Sequence, residues 1–167
     1  MRKLAFLLAF VLCPAFCQSP TKPIEPDILG VAFLLDSTNQ ALKPLADEHF
    51  KSQIKRSGWT WVNGVIVVDG EHSTVRIAGG KQIEFVFKVE HPESVKLYQA
   101  TVEKNQRIFT VVKSHGAGTH EETVPSIDAV LTKYGDSSYK LVPQSPLVPG
   151  EYAVMYGRKV MTFGIDG

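Results

Sequence analysis

Gln82-Ile83-Glu84-Phe85-Val86-Phe87-Lys88-Val89 decides the fold class of this chain. Ile83, Phe85, Phe87 and Val89 recur at every second position, with Gln82, Glu84 and Lys88 among the residues between them. Successive side chains of an extended strand point to opposite sides, so the pattern predicts a strand with one apolar and one wet face. A helix would need its apolar residues three and four apart.

Outward from this strand the signals stay short. Residues 65–68, 74–77, 95–103 and 107–113 read as further strands, punctuated by Asp69-Gly70, Gly79-Gly80, His91-Pro92 and Asn105-Gln106. Towards the amino end, residues 29–35 form a nearly continuous apolar run closed by the turn formers Asp36-Ser37-Thr38-Asn39, which predicts a hairpin into 41–45. Residues 46–56 read two ways: Ala46, Phe50 and Ile54 keep helical spacing, while the polar residues between them suit a surface strand, and the extended reading is preferred. Towards the carboxyl end, 126–133 reads as one helical turn or two and 139–142 returns to strand character. Strands this short and this evenly spaced predict a single all-β domain, an antiparallel β-sandwich.

The amino terminus has a different character. Arg2-Lys3 precede an unbroken apolar run from Leu4 to Leu12, which is too short to span a bilayer permanently, and Pro14 ends it. This is signal-peptide architecture, with cleavage expected after Cys17; the rival is a lipid anchor on Cys17, against which bulky Phe16 argues. The boundaries expected are 1–17 signal peptide, 18–27 proline-rich tether and 28–167 β-sandwich domain. Both cysteines, Cys13 and Cys17, leave with such a leader, so the exported chain would have no disulfide or thiol nucleophile. Removing Arg2 and Lys3 turns 18 cationic against 17 acidic residues into 16 against 17, which gives no electrostatic case for nucleic acid. The expected location is periplasmic or extracellular, and no later segment approaches transmembrane length.

The carboxyl end carries the most legible motif. In Leu147-Val148-Pro149-Gly150-Glu151-Tyr152 a Pro-Gly turn leads into the alternation Tyr152, Val154, Tyr156. This immunoglobulin-like ending looks like a tyrosine corner, in which a tyrosine entering the penultimate strand returns its hydroxyl to the preceding turn. The competing reading makes Pro149-Gly150 a plain hairpin turn and Tyr152 ordinary core. Pro149-Gly150-Glu151-Tyr152-Ala153 and Phe163-Gly164-Ile165-Asp166 together resemble the ending of a group of small exported bacterial proteins. The resemblance also takes in 36–45, Gly70-Glu71-His72-Ser73-Thr74-Val75-Arg76-Ile77 and 83–89. It implies fold and location, and it brings no catalytic residue to any of these positions.

Candidate chemistry is sparse. His115, His120, Glu121 and Glu122 surround Gly116-Ala117-Gly118 and are the one local concentration of metal ligands, but they lack an established ligand spacing such as H-E-x-x-H. His49 and His72 stand beside Glu48 and Glu71, where solvated charge pairs explain them. Ser73 follows His72 and Glu71 directly, and strand alternation separates consecutive side chains, which argues against a triad. Gly79-Gly80-Lys81 lacks the rest of a phosphate-binding loop and reads as a turn.

Trp59-Thr60-Trp61 is the clearest binding signal, because indoles two apart on an extended chain share a face and can stack on a sugar or grip a partner. The competing reading, which is preferred on the residues alone, has both fill the core, or cover one end of it, beside Val65 and Val67. Lys51, Lys55 and Arg56 form a basic rim, of the kind that discourages strand pairing between molecules. The sequence therefore predicts an exported, non-catalytic binding or accessory module without a cofactor, engaging a protein or carbohydrate through Trp59 and Trp61. The alternative is a small metal-dependent hydrolase using His115, His120 and Glu121.

Overall fold

The computed structural model describes residues 22–36, 38–57, 61–115 and 120–167, the side chains of 57, 115 and 120–122 excepted. The leader read from residues 1–17, Trp59 and Gly116-Ala117-Gly118 lie outside the described residues. In chain order the strands are β1 (Ala32–Asp36), β2 (Ala41–Pro44), β3 (Ala46–Asp47), β4 (Phe50–Ser57) and β5 (Trp61–Asp69). There follow β6 (Arg76–Ala78), β7 (Phe85–Phe87), β8 (Lys96–Gln99), β9 (Thr101–Glu103) and β10 (Gln106–His115). The last are β11 (His120–Thr123), β12 (Ala129–Tyr134), β13 (Ser138–Pro143), β14 (Gly150–Tyr156) and β15 (Lys159–Asp166). No α-helix occurs among the described residues, and His91-Pro92 opens a single 3-10 turn, Pro92–Ser94.

The strands form three sheets, ordered β12-β13-β7-β1-β2, β11-β10-β5-β4 and β3-β15-β14-β8. β9 joins β10, and β6 joins β15 in parallel, while the pairs along the three sheet orders are antiparallel. The fold is an all-β sandwich, as the periodicity of 82–89 predicted. Phe85 and Phe87 of the first sheet pack with Tyr152, Val154, Met161 and Phe163 of the third. The ring centroids of Phe85 and Phe163 are 4.9 Å apart, and those of Phe163 and Tyr152 are 5.4 Å apart. Burying each such ring contributes about 1.5–3 kcal/mol.

The third sheet is covered on its other face as well. Ala153, Met155 and Val160 pack there against Val68 and Phe109 of the second sheet. This is why five consecutive residues of β14 and six of β15 are buried instead of alternating. Two chain segments tie the layers together. Residues 41–57 pair successively with β1, β15 and β5, so one stretch visits all three sheets. β8 pairs with β14 and, one residue later, β9 pairs with β10. Such sheet-switching strands make the corners of a folded sandwich.

The helical reading of 126–133 is corrected. Ala129–Tyr134 is strand β12, antiparallel to β13 through the Gly135 turn. Val130, Leu131 and Thr132 suit an edge strand, and the hairpin to Ser138–Pro143 outweighs the weak helical spacing. Residues 46–56 are extended, as preferred. In the first hairpin the Asp36 carboxylate accepts from the backbone of Thr38 at 2.9 Å and from Asn39 Nδ2 at 2.9 Å, a self-contained turn.

Residues 22–27 run without helix or strand, as three prolines in 19–27 require. The segment is nevertheless anchored. Glu25 accepts bonds from the backbone of Asp136 (2.7 Å) and Ser137 (2.8 Å) and from the hydroxyls of Ser137 (2.9 Å) and Ser138 (2.8 Å). Gly135 makes room for it, since a Cβ there would lie 2.5 Å from the Glu25 carboxyl. The backbone bonds from Asp136 and Ser137, followed by the Ser138 hydroxyl, hold the Glu25 carboxyl down at about 2, against an ordinary 4.5. A depressed carboxyl stabilises the folded state above its ordinary value, and the contribution disappears as pH falls through the folded value. Glu25→Gln should therefore melt below the wild type at about pH 6, and the two melting curves should converge as pH falls from 4.5 towards 2. A gap that persists unchanged at the acid end would contradict this role.

Candidate functional site

The motif residues of the sequence converge on one polar network at the end of the third sheet. Glu151, only 4% exposed, receives the Ser73 backbone N–H at 2.8 Å on one oxygen. Its other oxygen receives Arg76 Nη1 and lies 3.3 Å from His72 Nδ1. Arg76 also grips Asp166, through Nε at 2.9 Å and Nη2 at 2.6 Å. It reaches both carboxylates by lying across Gly164: a Cβ at that position would overlap the guanidinium and stand 2.8 Å from Glu151 Oε1. The segments around 70–77, 149–153 and 163–166 are thus parts of one clamp.

A second buried cation joins the third sheet to the second. Arg107 of β10 is 1% exposed and faces β15. It donates to Thr162 Oγ1 (2.9 Å), Glu48 Oε1 (3.1 Å), Gly70 O (3.1 Å) and Asp69 O (3.3 Å). Thr162 Oγ1 donates to Glu48 Oε1 at 3.0 Å and stands 2.9 Å from Ser73 Oγ, linking this cluster to the clamp. Among the described residues no buried side-chain nitrogen or oxygen lacks a hydrogen-bond partner. A fully satisfied network of this kind rigidifies a core.

It is not arranged for nucleophilic catalysis. Ser73 is buried and its hydroxyl meets Thr162, while the neighbouring His72 ring is 72% exposed and meets Glu151. No imidazole among the described residues sits against the Ser73 hydroxyl; residues 71–75 are not strand, so alternation is not the reason, and His72 and Ser73 both meet Glu151. Gly79-Gly80 is a turn between β6 and β7, and a Cβ on Gly79 would lie 2.5 Å from Asp166 O. An open cleft of about 420 Å³ between 80–83 and 143–147 contains Lys81 but no carboxylate or imidazole, so it has no acid-base pair.

Tyr152 has the corner geometry. Its hydroxyl donates to Val148 O at 2.7 Å across Pro149-Gly150, and its ring stacks on Phe163. Burial raises the phenol above its ordinary range, while the Val148 bond opposes that shift. Tyr152, Pro149 and Gly150 therefore act as a structural unit tying the entry of β14 to the turn before it.

The two groups of residues singled out for binding and for metal ligation come together at the far end of the second sheet. Register sets Ser57 opposite Trp61, Trp61 opposite His115 and His115 opposite His120, a single rung across four strands. Trp61 is 41% exposed and so does not fill the core beside Val65 and Val67. Among the described side chains, none of 54–56, 61–64, 112–114 or 123 belongs to a buried core cluster. Trp59 and the side chains of His115, His120 and Glu121 are outside the described residues. No group of three potential metal ligands occurs among the described residues.

The sequence reading missed Glu25, Arg107 and the Arg76-Glu151 pair. For Arg107 a signal existed: it shares the inward face of β10 with Phe109, where an apolar residue is the ordinary choice. No protein-family model, curated protein or solved structure matches this chain. No helix among the described residues is long and apolar enough to cross a membrane.

Proposed function

We propose that this chain is an exported, non-catalytic binding or accessory module that engages a protein or carbohydrate through the end of the β4-β5-β10-β11 arm. The observation that carries this reading is the exposure of Trp61, 41%, on a part of the sheet whose described side chains belong to no core cluster. An indole supplies a large flat contact surface with little side-chain freedom to lose, which is why tryptophan is frequent among the residues that dominate binding. The Arg2-Lys3 start and the apolar run to Leu12 support export to the periplasm or beyond. The titratable network is consumed in holding sheets together, which favours binding over catalysis.

Trp61→Ala should leave the melting temperature within about 2 °C of the wild type, because the residue lies outside the core. It should weaken binding to an immobilised oligosaccharide panel, or to cell-envelope proteins, by about tenfold to a hundredfold. Retention of full affinity in a folded Trp61→Ala protein would reject the arm as the contact surface. The direct pairing of His115 with His120 favours one second reading, a metal-dependent hydrolase with Glu121. Elemental analysis of the purified protein and its melting temperature with added zinc separate the two: a stoichiometric metal and a raised melting temperature belong to the hydrolase.

A further inference from the structure

The second sheet has two edges of opposite charge. β4, Phe50-Lys51-Ser52-Gln53-Ile54-Lys55-Arg56-Ser57, carries three cations and no carboxylate. β11, His120-Glu121-Glu122-Thr123, carries two carboxylates and neither lysine nor arginine. They are the first and last strands of the order β11-β10-β5-β4, and no described strand pairs with the outer side of either. An unpaired edge presents a row of backbone donors and acceptors ready for another strand.

We infer that copies of this chain join edge to edge, β4 of one against β11 of the next, into an open-ended continuous sheet. Direction and register both fit. β4, β5, β10 and β11 are antiparallel in turn, so β4 and β11 run in opposite directions. A second copy set beside the first without rotation therefore meets it as an antiparallel pair. The rungs within one molecule read Ile54-Gly64-Val112-Thr123, Lys55-Asn63-Lys113-Glu122, Arg56-Val62-Ser114-Glu121 and Ser57-Trp61-His115-His120. Continuing each rung into the next copy sets position 54 against 123, 55 against 122, 56 against 121 and 57 against 120. That is an aliphatic residue against a β-branched one, two opposite-charge pairs and a polar pair, the combinations that stabilise neighbouring strands.

The same charges select the mode of association. β4 against β4 would bring Lys51, Lys55 and Arg56 of both copies together with no carboxylate among them, so the basic rim that resists self-pairing of one edge admits the other. Joining unlike surfaces does not close on itself unless a rotation completes a ring, and so it grows. Ile54, 79% exposed in the middle of β4, is covered in this arrangement. Trp61 would then recur at the end of every arm along one side of the assembly, which bears on the avidity of binding but does not depend on it.

The test is sedimentation velocity and electron microscopy of the purified protein against concentration and salt. Expected is a series of oligomers that lengthens with concentration and shortens as salt rises. Lys55→Glu with Arg56→Glu, and separately Glu121→Lys with Glu122→Lys, should each raise the concentration needed for assembly by at least about tenfold. An equimolar mixture of the two reversed proteins should assemble again, because each acidic β4 meets a basic β11. Melting curves establish that the variants fold, and Lys55→Gln with Arg56→Gln replaces any reversal that does not. A protein that remains monomeric up to about 1 mM, a dimer that does not grow, or assembly indifferent to both reversals overturns the inference. Loss of partner binding by Trp61→Ala leaves assembly unchanged, so the two proposals fail separately.

Discussion

Arg107→Met should lower stability by about 3–5 kcal/mol, the cost of breaking a buried ion pair by removing one partner. For a domain of this size that is a fall in melting temperature on the order of 10 °C. The substitution keeps an unbranched stem of similar length and removes every donor. Glu48 Oε1, Thr162 Oγ1 and the carbonyls of Gly70 and Asp69 then lose the guanidinium at the junction of two sheets. Glu48 keeps its bond from Thr162 and is 24% exposed, so part of the loss is recoverable by water. Removing the stranded carboxylate as well should recover more: Arg107→Met with Glu48→Leu should be more stable than Arg107→Met alone by about 1–2 kcal/mol. Chemical denaturation of the four proteins measures this directly. Costs that simply add would mean that Arg107 and Glu48 do not act as a pair.

Gly164→Ala should be the second most damaging change, at about 2–4 kcal/mol for a single methyl group. The new Cβ occupies the space of the Arg76 guanidinium and pushes it off Glu151. Arg76 is a flexible chain and 34% exposed, so it can swing towards water at small cost to itself. Glu151 cannot follow. It remains buried with the Ser73 amide and the 3.3 Å contact to His72 as its remaining partners, and its charge is no longer balanced by arginine. In an Arg76→Ala background the guanidinium is gone and the 2.8 Å approach to Glu151 Oε1 remains, so Gly164→Ala should there cost clearly less than in the wild type. Full cost in both backgrounds would place the damage in the backbone of β15 instead of the clamp.

These two sites show where sequence reading reaches and where it stops. The alternation of Ile83, Phe85, Phe87 and Val89 is a local property, and it led to the correct fold class although the expected wet face is not one: Val86 is as buried as Phe85 and Phe87, in a strand held between β1 and β13. Tyr152 was legible for a similar reason: the turn it bonds back to is four residues away. Arg107 was legible only in part: alternation places it on the inward face with Phe109, but its partners Glu48 and Thr162 lie 59 and 55 positions from it. Glu151 and Gly164 were not legible, because Arg76, which lies across Gly164 to reach Glu151, is 75 positions from Glu151 in the chain. The 126–133 segment failed through competition, as a strand partner at 138–143 outweighed a faint helical spacing. In the arm, Trp59 and Trp61 were identified as a pair from their spacing, and strand register then brought His115 and His120 to the same rung as Trp61.

The central functional claim is that Trp61 is covered when the protein meets its partner. The chain has two tryptophans, so Trp59→Phe leaves Trp61 as the one indole fluorophore. Acrylamide quenching of that protein, free and then bound to the oligosaccharide or envelope protein that it retains, measures the accessibility of Trp61 in each state. Strong quenching is expected in the free protein and protection, with a blue-shifted emission, in the bound one. A bound complex in which Trp61 quenches as readily as in the free protein would contradict it.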